Sequence, residues 1–133
     1  MDEHRFLVLE RTDAVAKIYK VDVRHATNIL GSKWDLFATS PSLESLAQFV
    51  PASSTDTLAS NNVQVLQKEL VLDLSSLGAA IPQKIEGIAV LDGKTIAVSN
   101  DNDFQVGAPT CGTNAPTGVM SKLIIIKLDK PIK

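Results

Sequence analysis

The chain has 133 residues, with 13 Lys and Arg against 15 Asp and Glu, which gives a formal net charge of -2. A chain of this length corresponds to about one domain. The near-balance of charge leaves no basic stripe that could bind phosphates by counterion release, so we expect no nucleic-acid partner. Leu, Ile and Val make up more than a quarter of the residues, which is enough aliphatic material for a hydrophobic core and argues against disorder.

The sequence predicts neither a membrane span nor a secretory signal. No window approaches the roughly 18 consecutive apolar residues of a transmembrane helix. The first apolar run, Phe6–Leu9, follows Asp2 and Glu3, whereas a signal peptide begins with a cationic region. The single cysteine, Cys111, cannot form an internal disulfide, and no Cys/His cluster has zinc spacing. The cellular compartment therefore stays open.

Two alternating runs begin the chain. In Arg5–Arg11 both faces are apolar in the middle and the ends are charged, which is typical of a strand inside a packed sheet. After a break at Thr12, successive residues of Val15–Val23 again alternate between an apolar face and a mixed one. Together the two runs predict an antiparallel hairpin. Glu10 and Arg11 either form an ion pair or point inward, and phosphate binding by Arg11 is a further alternative.

A Ser/Thr-rich insertion is predicted at about 34–62. The chain has no Lys, Arg or His from Trp34 to Gln67, and Thr39–Asn62 is crowded with Ser, Thr and Ala and contains two prolines. Within it, Ser42–Ala47 has helical spacing and begins with a favourable N-cap residue, so we expect one short helix. The rest is interpreted as a solvent-exposed loop between strands. The alternative is a lid over a site.

Four further strands are predicted from Val63 onward. Leucines at even positions of Val63–Leu74 have a period of two, which favours a strand over a helix. Lys84–Leu91 and Thr95–Ser99 flank Asp92-Gly93, a dipeptide that favours the type I′ turn of a two-residue hairpin loop. The last run, Leu123–Leu128, is rich in β-branched residues and predicts a buried strand.

The register of this hairpin predicts a cluster of oxygen ligands. With Asp92-Gly93 as the loop, Glu86 faces Ser99 and Lys84 faces Asp101. Directly opposite Cβ atoms lie about 5 Å apart and diagonal ones about 7 Å, so the carboxylates of Glu86 and Asp101 can converge on one ion. Asn100 can add an amide oxygen. Hard oxygen ligands without His or Cys suit Ca²⁺ better than zinc or copper.

The alternative for Asn100–Asp103 is a simple turn, because Asn and Asp favour turn conformations. His4 and His25 lie at strand ends and are expected to be surface residues. Cys111 has no visible His partner, so we expect no catalytic role for it. No nucleophile elbow, P-loop or dinucleotide fingerprint is present, and no nucleophile–base pair can be named, so the catalytic residues stay unknown.

Two segments carry a resemblance to a known family. Lys84–Gly93 reads Lys-Ile-Glu-Gly-Ile-Ala-Val-Leu-Asp-Gly, and Ile96–Phe104 reads Ile-Ala-Val-Ser-Asn-Asp-Asn-Asp-Phe. These segments resemble the esterase-like phytase family of β-propeller proteins. The earlier segments Phe6–Arg11 and Ala16–Asp22 resemble the part that precedes them in the same family. Apart from the Ser/Thr-rich insertion, the resemblance covers nearly the whole chain and matches the carboxy-terminal part of a longer protein.

The resemblance implies an all-β fold in which residues 1–133 form a single partial propeller domain of two to three antiparallel four-stranded blades. It also implies Ca²⁺-dependent hydrolysis of a phosphoester or ester, with Glu86, Asn100 and Asp101 as metal ligands. Relatives are usually exported, which suggests a secreted or periplasmic location. A propeller has about four to eight blades, so either missing blades or a homo-oligomer would complete the ring. The alternative is a non-catalytic propeller fragment that acts as an association or binding module.

Overall fold

The computed structural model describes residues 2–12, 15–48, 57–103 and 118–132. These residues form six strands and one α-helix, which are β1 (Arg5–Arg11), β2 (Ala16–Asp22), α1 (Leu43–Gln48), β3 (Gln67–Asp73), β4 (Ile85–Asp92), β5 (Thr95–Asn100) and β6 (Leu123–Lys127). Short 3₁₀ helices cover Lys33–Asp35, Ala59–Asn61 and Leu74–Ala80. No helix in these ranges is long and apolar enough to cross a membrane.

The strands form two antiparallel three-stranded sheets, ordered β1-β2-β3 and β4-β5-β6. The all-β prediction is therefore confirmed. The first predicted strand has the observed bounds, whereas the strand predicted from Val63 begins only at Gln67. Leu74 also leaves that strand and begins a 3₁₀ helix, where the carboxylate of Asp73 accepts the backbone N–H of Ser75. In the described ranges each sheet has three strands, so four-stranded blades stay a prediction.

The two sheets share one hydrophobic core. Its fully or nearly buried members are Ile18, Leu74, Ile85, Ile96, Val98, Leu128 and Ile132. In the second sheet, Val98 pairs with Ile88 on one side and with Ile124 on the other. Such cross-strand aliphatic neighbours bury one face of the sheet. Leu7 and Leu9, which share one face of β1, pack against the same cluster, whereas Phe6 on the other face is 48% exposed.

The chain divides into two compact units. The first consists of Met1–Val21 and Lys68–Lys133, and the second is Asp22–Gln67. In the second unit, the backbone N–H of Ser45 donates to Ser42 Oγ at 3.2 Å, which confirms the expected helix and its N-cap. The backbone N–H of Thr27 donates to the carbonyl of Gln64 at 2.9 Å. The predicted insertion falls within this unit, and its residues 49–56 lie outside the described ranges.

The β4–β5 hairpin forms, but its register differs from the predicted one. Gly93-Lys94 is the two-residue turn, because Asp92 stays paired with Thr95. The carboxylate of Asp92 accepts the backbone N–H of Lys94 at 2.7 Å and so stabilises this turn. The register shifts between Val90 and Asp92, and again between Ile85 and Gly87. Each shift is a β-bulge, in which one extra residue has no direct partner.

The second bulge changes the neighbour of Ser99. Gly87, and not Glu86, pairs with Ser99, so this part of the predicted register is wrong. A Cβ atom at Gly87 would lie 2.1 Å from Ser99 Oγ. Only glycine leaves room for that hydroxyl without movement of the side chain. The backbone N–H of Asp101 donates to the carbonyl of Lys84 at 2.8 Å, so the predicted juxtaposition of Lys84 and Asp101 is confirmed.

Candidate functional site

Glu86 lies at the bulge near the start of β4, and its carboxylate pairs with the guanidinium of Arg11 at the end of β1. The two side chains are 47% and 30% exposed. Glu10, the neighbour of Arg11, instead pairs with Lys68 of β3 at 2.8 Å. Successive strand residues point to opposite faces, which explains why Glu10 and Arg11 have different partners. Neither sequence alternative for this pair describes the observed arrangement.

Asn100 ends β5 and is buried, with 8% exposure. Its Oδ1 accepts the backbone N–H of Lys122 at 2.7 Å, and its Nδ2 donates to the carbonyls of Asp101 and Met120 at 3.3 Å. The side chain thereby joins the end of β5 to the segment that leads into β6. An amide oxygen has two lone pairs, so Oδ1 can accept one further interaction.

Asp101 follows directly and forms a short turn, in which its Oδ1 accepts the backbone N–H of Asp103 at 3.0 Å. This local hydrogen bond is typical of a turn after the strand end at Asn100, and both the simple turn and the metal site stay predictions. Asp103 in turn pairs with the ammonium of Lys84. The hydrogen bond to Asp103 raises the pKa of Lys84, and the same bond lowers the pKa of Asp103. Arg11 also acts electrostatically on both groups.

We call these five ionised side chains the charged cluster: Arg11, Lys84, Glu86, Asp101 and Asp103. Because Ile85 pairs with Asn100, Glu86 and Asp101 lie at the same end of the hairpin. Each nevertheless has a protein partner. Within the described ranges no group of three or more His, Cys, Asp and Glu side chains is arranged so that it could hold a metal. The predicted ligands are thus neighbours in the fold, and their convergence on one ion stays a prediction.

A cavity of about 210 Å³ adjoins the charged cluster. We call it the rim pocket, and it is lined by Arg11, Thr12, Val15, Ala16, Leu74, Ser75, Gly78, Ile81, Pro82, Gln83, Lys84 and Ile85. The cationic side chains of Arg11 and Lys84 stand among aliphatic ones. Its hydroxyl and amide groups come from Thr12, Ser75 and Gln83. The pocket therefore offers positive charge beside apolar surface.

Lys84 and Asp103 were missed as site residues by sequence reasoning. Both are non-glycine residues with left-handed backbone, at φ 55° and φ 49°. Asp tolerates that conformation in turns, but no sequence pattern predicts it for Lys84. Arg11 was only an alternative, because its contact with Glu86 spans 75 positions. The available signal was the mixture of charges at three strand ends. His4 and His25 are exposed, as predicted, and Cys111 lies outside the described residues.

Comparison with known proteins gives one family match. The family model described as "Phytase-like: Esterase-like activity of phytase" matches residues 1–104. The matched range includes Arg11, Lys84, Glu86, Asn100 and Asp101. No curated protein and no solved structure matches the chain.

Proposed function

The chain belongs to the phytase-like family, described as esterase-like activity of phytase, and on this premise we propose that it contributes propeller blades to a Ca²⁺-dependent phosphoester or ester hydrolase. Glu86, Asn100 and Asp101 are the proposed ligands. The observation that carries this proposal is the pairing of Ile85 with Asn100, because it brings an acidic bulge and an Asn-Asp strand end to one edge. Further strands would complete each three-stranded sheet as a four-stranded blade.

The donor set fits Ca²⁺ chemically. It consists of two carboxylates and one amide oxygen, and Ca²⁺ prefers such hard oxygen ligands in flexible arrangements. A carboxylate has about four lone-pair sites, so the hydrogen bonds from Arg11 and Asp103 leave acceptor capacity on Glu86 and Asp101. When bound, Ca²⁺ would supply Lewis-acid polarisation of a phosphoryl or acyl oxygen.

In the proposed site, Arg11, Lys84 and Asn100 have different structural roles. Arg11 holds the Glu86 carboxylate, and Lys84 holds Asp103. Asn100 fixes the end of β5 through its contact with Lys122. The two cations also partly neutralise the carboxylates, which keeps like charges from repelling one another when no cation is bound. We therefore propose that Arg11 and Lys84 stabilise the metal-free form of the site.

Titration calorimetry with Ca²⁺ tests the metal proposal. We expect saturable binding to the wild-type chain and a loss of at least about tenfold in affinity for Glu86→Gln, because one anionic ligand is removed. Glu69→Gln is the matched control, since Glu69 also lies on a strand and forms an ion pair, with Lys20 at 2.9 Å. Absent heat with the wild type, or equal affinities in the two variants, would contradict the proposal. Ca²⁺-stimulated hydrolysis of p-nitrophenyl phosphate then tests the activity.

A second candidate function is a non-catalytic association module. Leu123 and Ile125 of β6 are 72% and 63% exposed. They share one face of the second sheet, because Leu123 pairs with Ser99 and Ile125 with Ala97. Large exposed aliphatic side chains on a sheet face are typical of a surface that another protein layer covers. Sedimentation velocity distinguishes an associating chain from a monomer.

A further inference from the structure

We propose that the rim pocket binds a phosphate monoester that carries a compact apolar group, with its anionic end at Arg11 and Lys84 and its apolar end in the cavity. The inference rests on the proposed function for the ester class of the ligand. It adds that the ester carries a compact apolar group, which neither the family description nor the metal proposal specifies.

The cationic side of the pocket suits a phosphate. Arg11 presents a planar guanidinium whose N–H groups match two phosphate oxygens, and Lys84 adds a compact ammonium with three donors. Both cations pair with carboxylates at the surface, namely Glu86 and Asp103. Exposed ion pairs contribute little to stability. An incoming phosphate can therefore share or replace these partners at small cost.

Lys84 is fixed in an unusual conformation at the edge of the pocket. Its backbone is left-handed, with φ 55°, and its carbonyl accepts the N–H of Asp101 at 2.8 Å. Left-handed residues other than glycine are uncommon, and they cluster at functional sites where the surrounding structure holds them. The ion pair with Asp103, which is left-handed as well, adds a second constraint. The backbone of Lys84 at the edge of the cavity is thus held by local contacts before a ligand binds.

The apolar side of the pocket selects the rest of the ligand. Val15, which is 39% exposed, forms the accessible apolar lining together with Ile81 and Pro82. Leu74 and Ile85 also border the pocket, but at 0% and 1% exposure they offer little surface to a ligand. An apolar cavity of about 150 Å³ holds benzene, so the rim pocket, at about 210 Å³, has room for a six-membered ring. A highly phosphorylated polyol has no apolar face to place there.

Ser75 gives the pocket one oriented hydroxyl. Its Oγ accepts the backbone N–H of Ala16 at 3.2 Å, so the hydroxyl hydrogen points away from that bond and can donate to an oxygen of the ligand. We assign it the bridging ester oxygen as its partner.

Calorimetric titration in the absence of Ca²⁺ tests the inference with three probes: phenyl phosphate, inorganic phosphate and phenol. We expect phenyl phosphate to bind about tenfold more tightly than inorganic phosphate, because only it buries a ring. Lys84→Gln should weaken both phosphate probes by about threefold or more through the lost charge. Lys94→Gln, an exposed lysine in the hairpin turn, should bind like the wild type. Val15→Phe should weaken phenyl phosphate and leave inorganic phosphate unchanged.

The comparison of probes on the wild-type chain does not depend on any variant. Equal affinities for phenyl phosphate and inorganic phosphate would overturn the apolar subsite. Equal affinities for phenol and phenyl phosphate would overturn the cationic one, and no binding of any probe would overturn the whole inference. Because no Ca²⁺ is present, these results are separate from those of the Ca²⁺ titration, which decides the metal proposal.

Discussion

Among the described residues, Asn100 is the one buried polar side chain. Burial of an amide is costly unless its donors and acceptor are satisfied, and here the backbone groups of Asp101, Met120 and Lys122 satisfy them. The residue proposed as a Ca²⁺ ligand therefore has a structural role that does not require the metal. Its amide oxygen already accepts the backbone N–H of Lys122, so only its second lone pair is available to a cation.

Asn100→Ala is expected to lower the free energy of unfolding by about 1–3 kcal/mol, because the buried N–H of Lys122 loses its acceptor. Urea denaturation in the presence of EDTA measures this loss without a contribution from Ca²⁺. Asn28→Ala is the matched control, since Asn28 also accepts a backbone N–H, that of Leu30 at 3.0 Å, but is exposed. A stability loss no larger for Asn100→Ala than for Asn28→Ala would contradict the structural role.

At the level of the strands, alternation in the sequence predicted each of the six strands but not all of their bounds, since β3 begins at Gln67 and not at Val63. β1 has the predicted bounds. β2 is one residue shorter than predicted at each end, and β6 is one residue shorter at its carboxy-terminal end. The bulges at Glu86 and Leu91 were not predictable. A bulge arises from packing and twist, and the alternation of residues along a strand does not indicate where it forms. They moved the turn by one residue and gave Ser99 a new partner. The site was predicted only as far as the hairpin register held, which was at Lys84 and Asp101.

The turn of this hairpin gives the chain a pH dependence on the acidic side. Hydrogen bonds from the backbone of Lys94 and the side chain of Thr95 lower the pKa of Asp92. A carboxyl group with a lowered pKa in the folded state contributes stability above its unfolded pKa, and this contribution is lost as the pH falls through the folded value. The turn is therefore expected to weaken in acid and to be fully stabilised at neutral pH.

Asp92→Asn is expected to reduce the dependence of the melting temperature on pH between about pH 5 and pH 2, because the amide keeps an acceptor but does not titrate there. Part of the dependence should remain, since Glu69 and Asp103 also have lowered pKa values. Thermal unfolding followed by circular dichroism across this range measures both slopes. Identical slopes for the variant and the wild type would show that Asp92 does not stabilise the turn through its charge.

For the whole molecule, the central observation is a core that covers only one face of the second sheet. Ile88, Val98 and Ile124 are paired on the face that contributes to the core. On the other face, the small Ala97 lies between Ala89 and the exposed Ile125, and Ala97 itself is 5% exposed. Small side chains leave a flat surface against which another sheet can pack at about 10 Å. In a propeller, a neighbouring blade would occupy this position.

The chain is therefore expected to associate at micromolar concentration through this face, and sedimentation velocity should show species larger than the 14.3 kDa monomer. Leu123→Lys should shift the distribution towards the monomer, because a charge would have to be desolvated in the interface. Leu36→Lys is the matched control, since Leu36 is similarly exposed, at 64% against 72%, but belongs to the second unit. A monomeric wild type, or equal shifts in both variants, would argue against this face as an association surface and, with it, against the second candidate function.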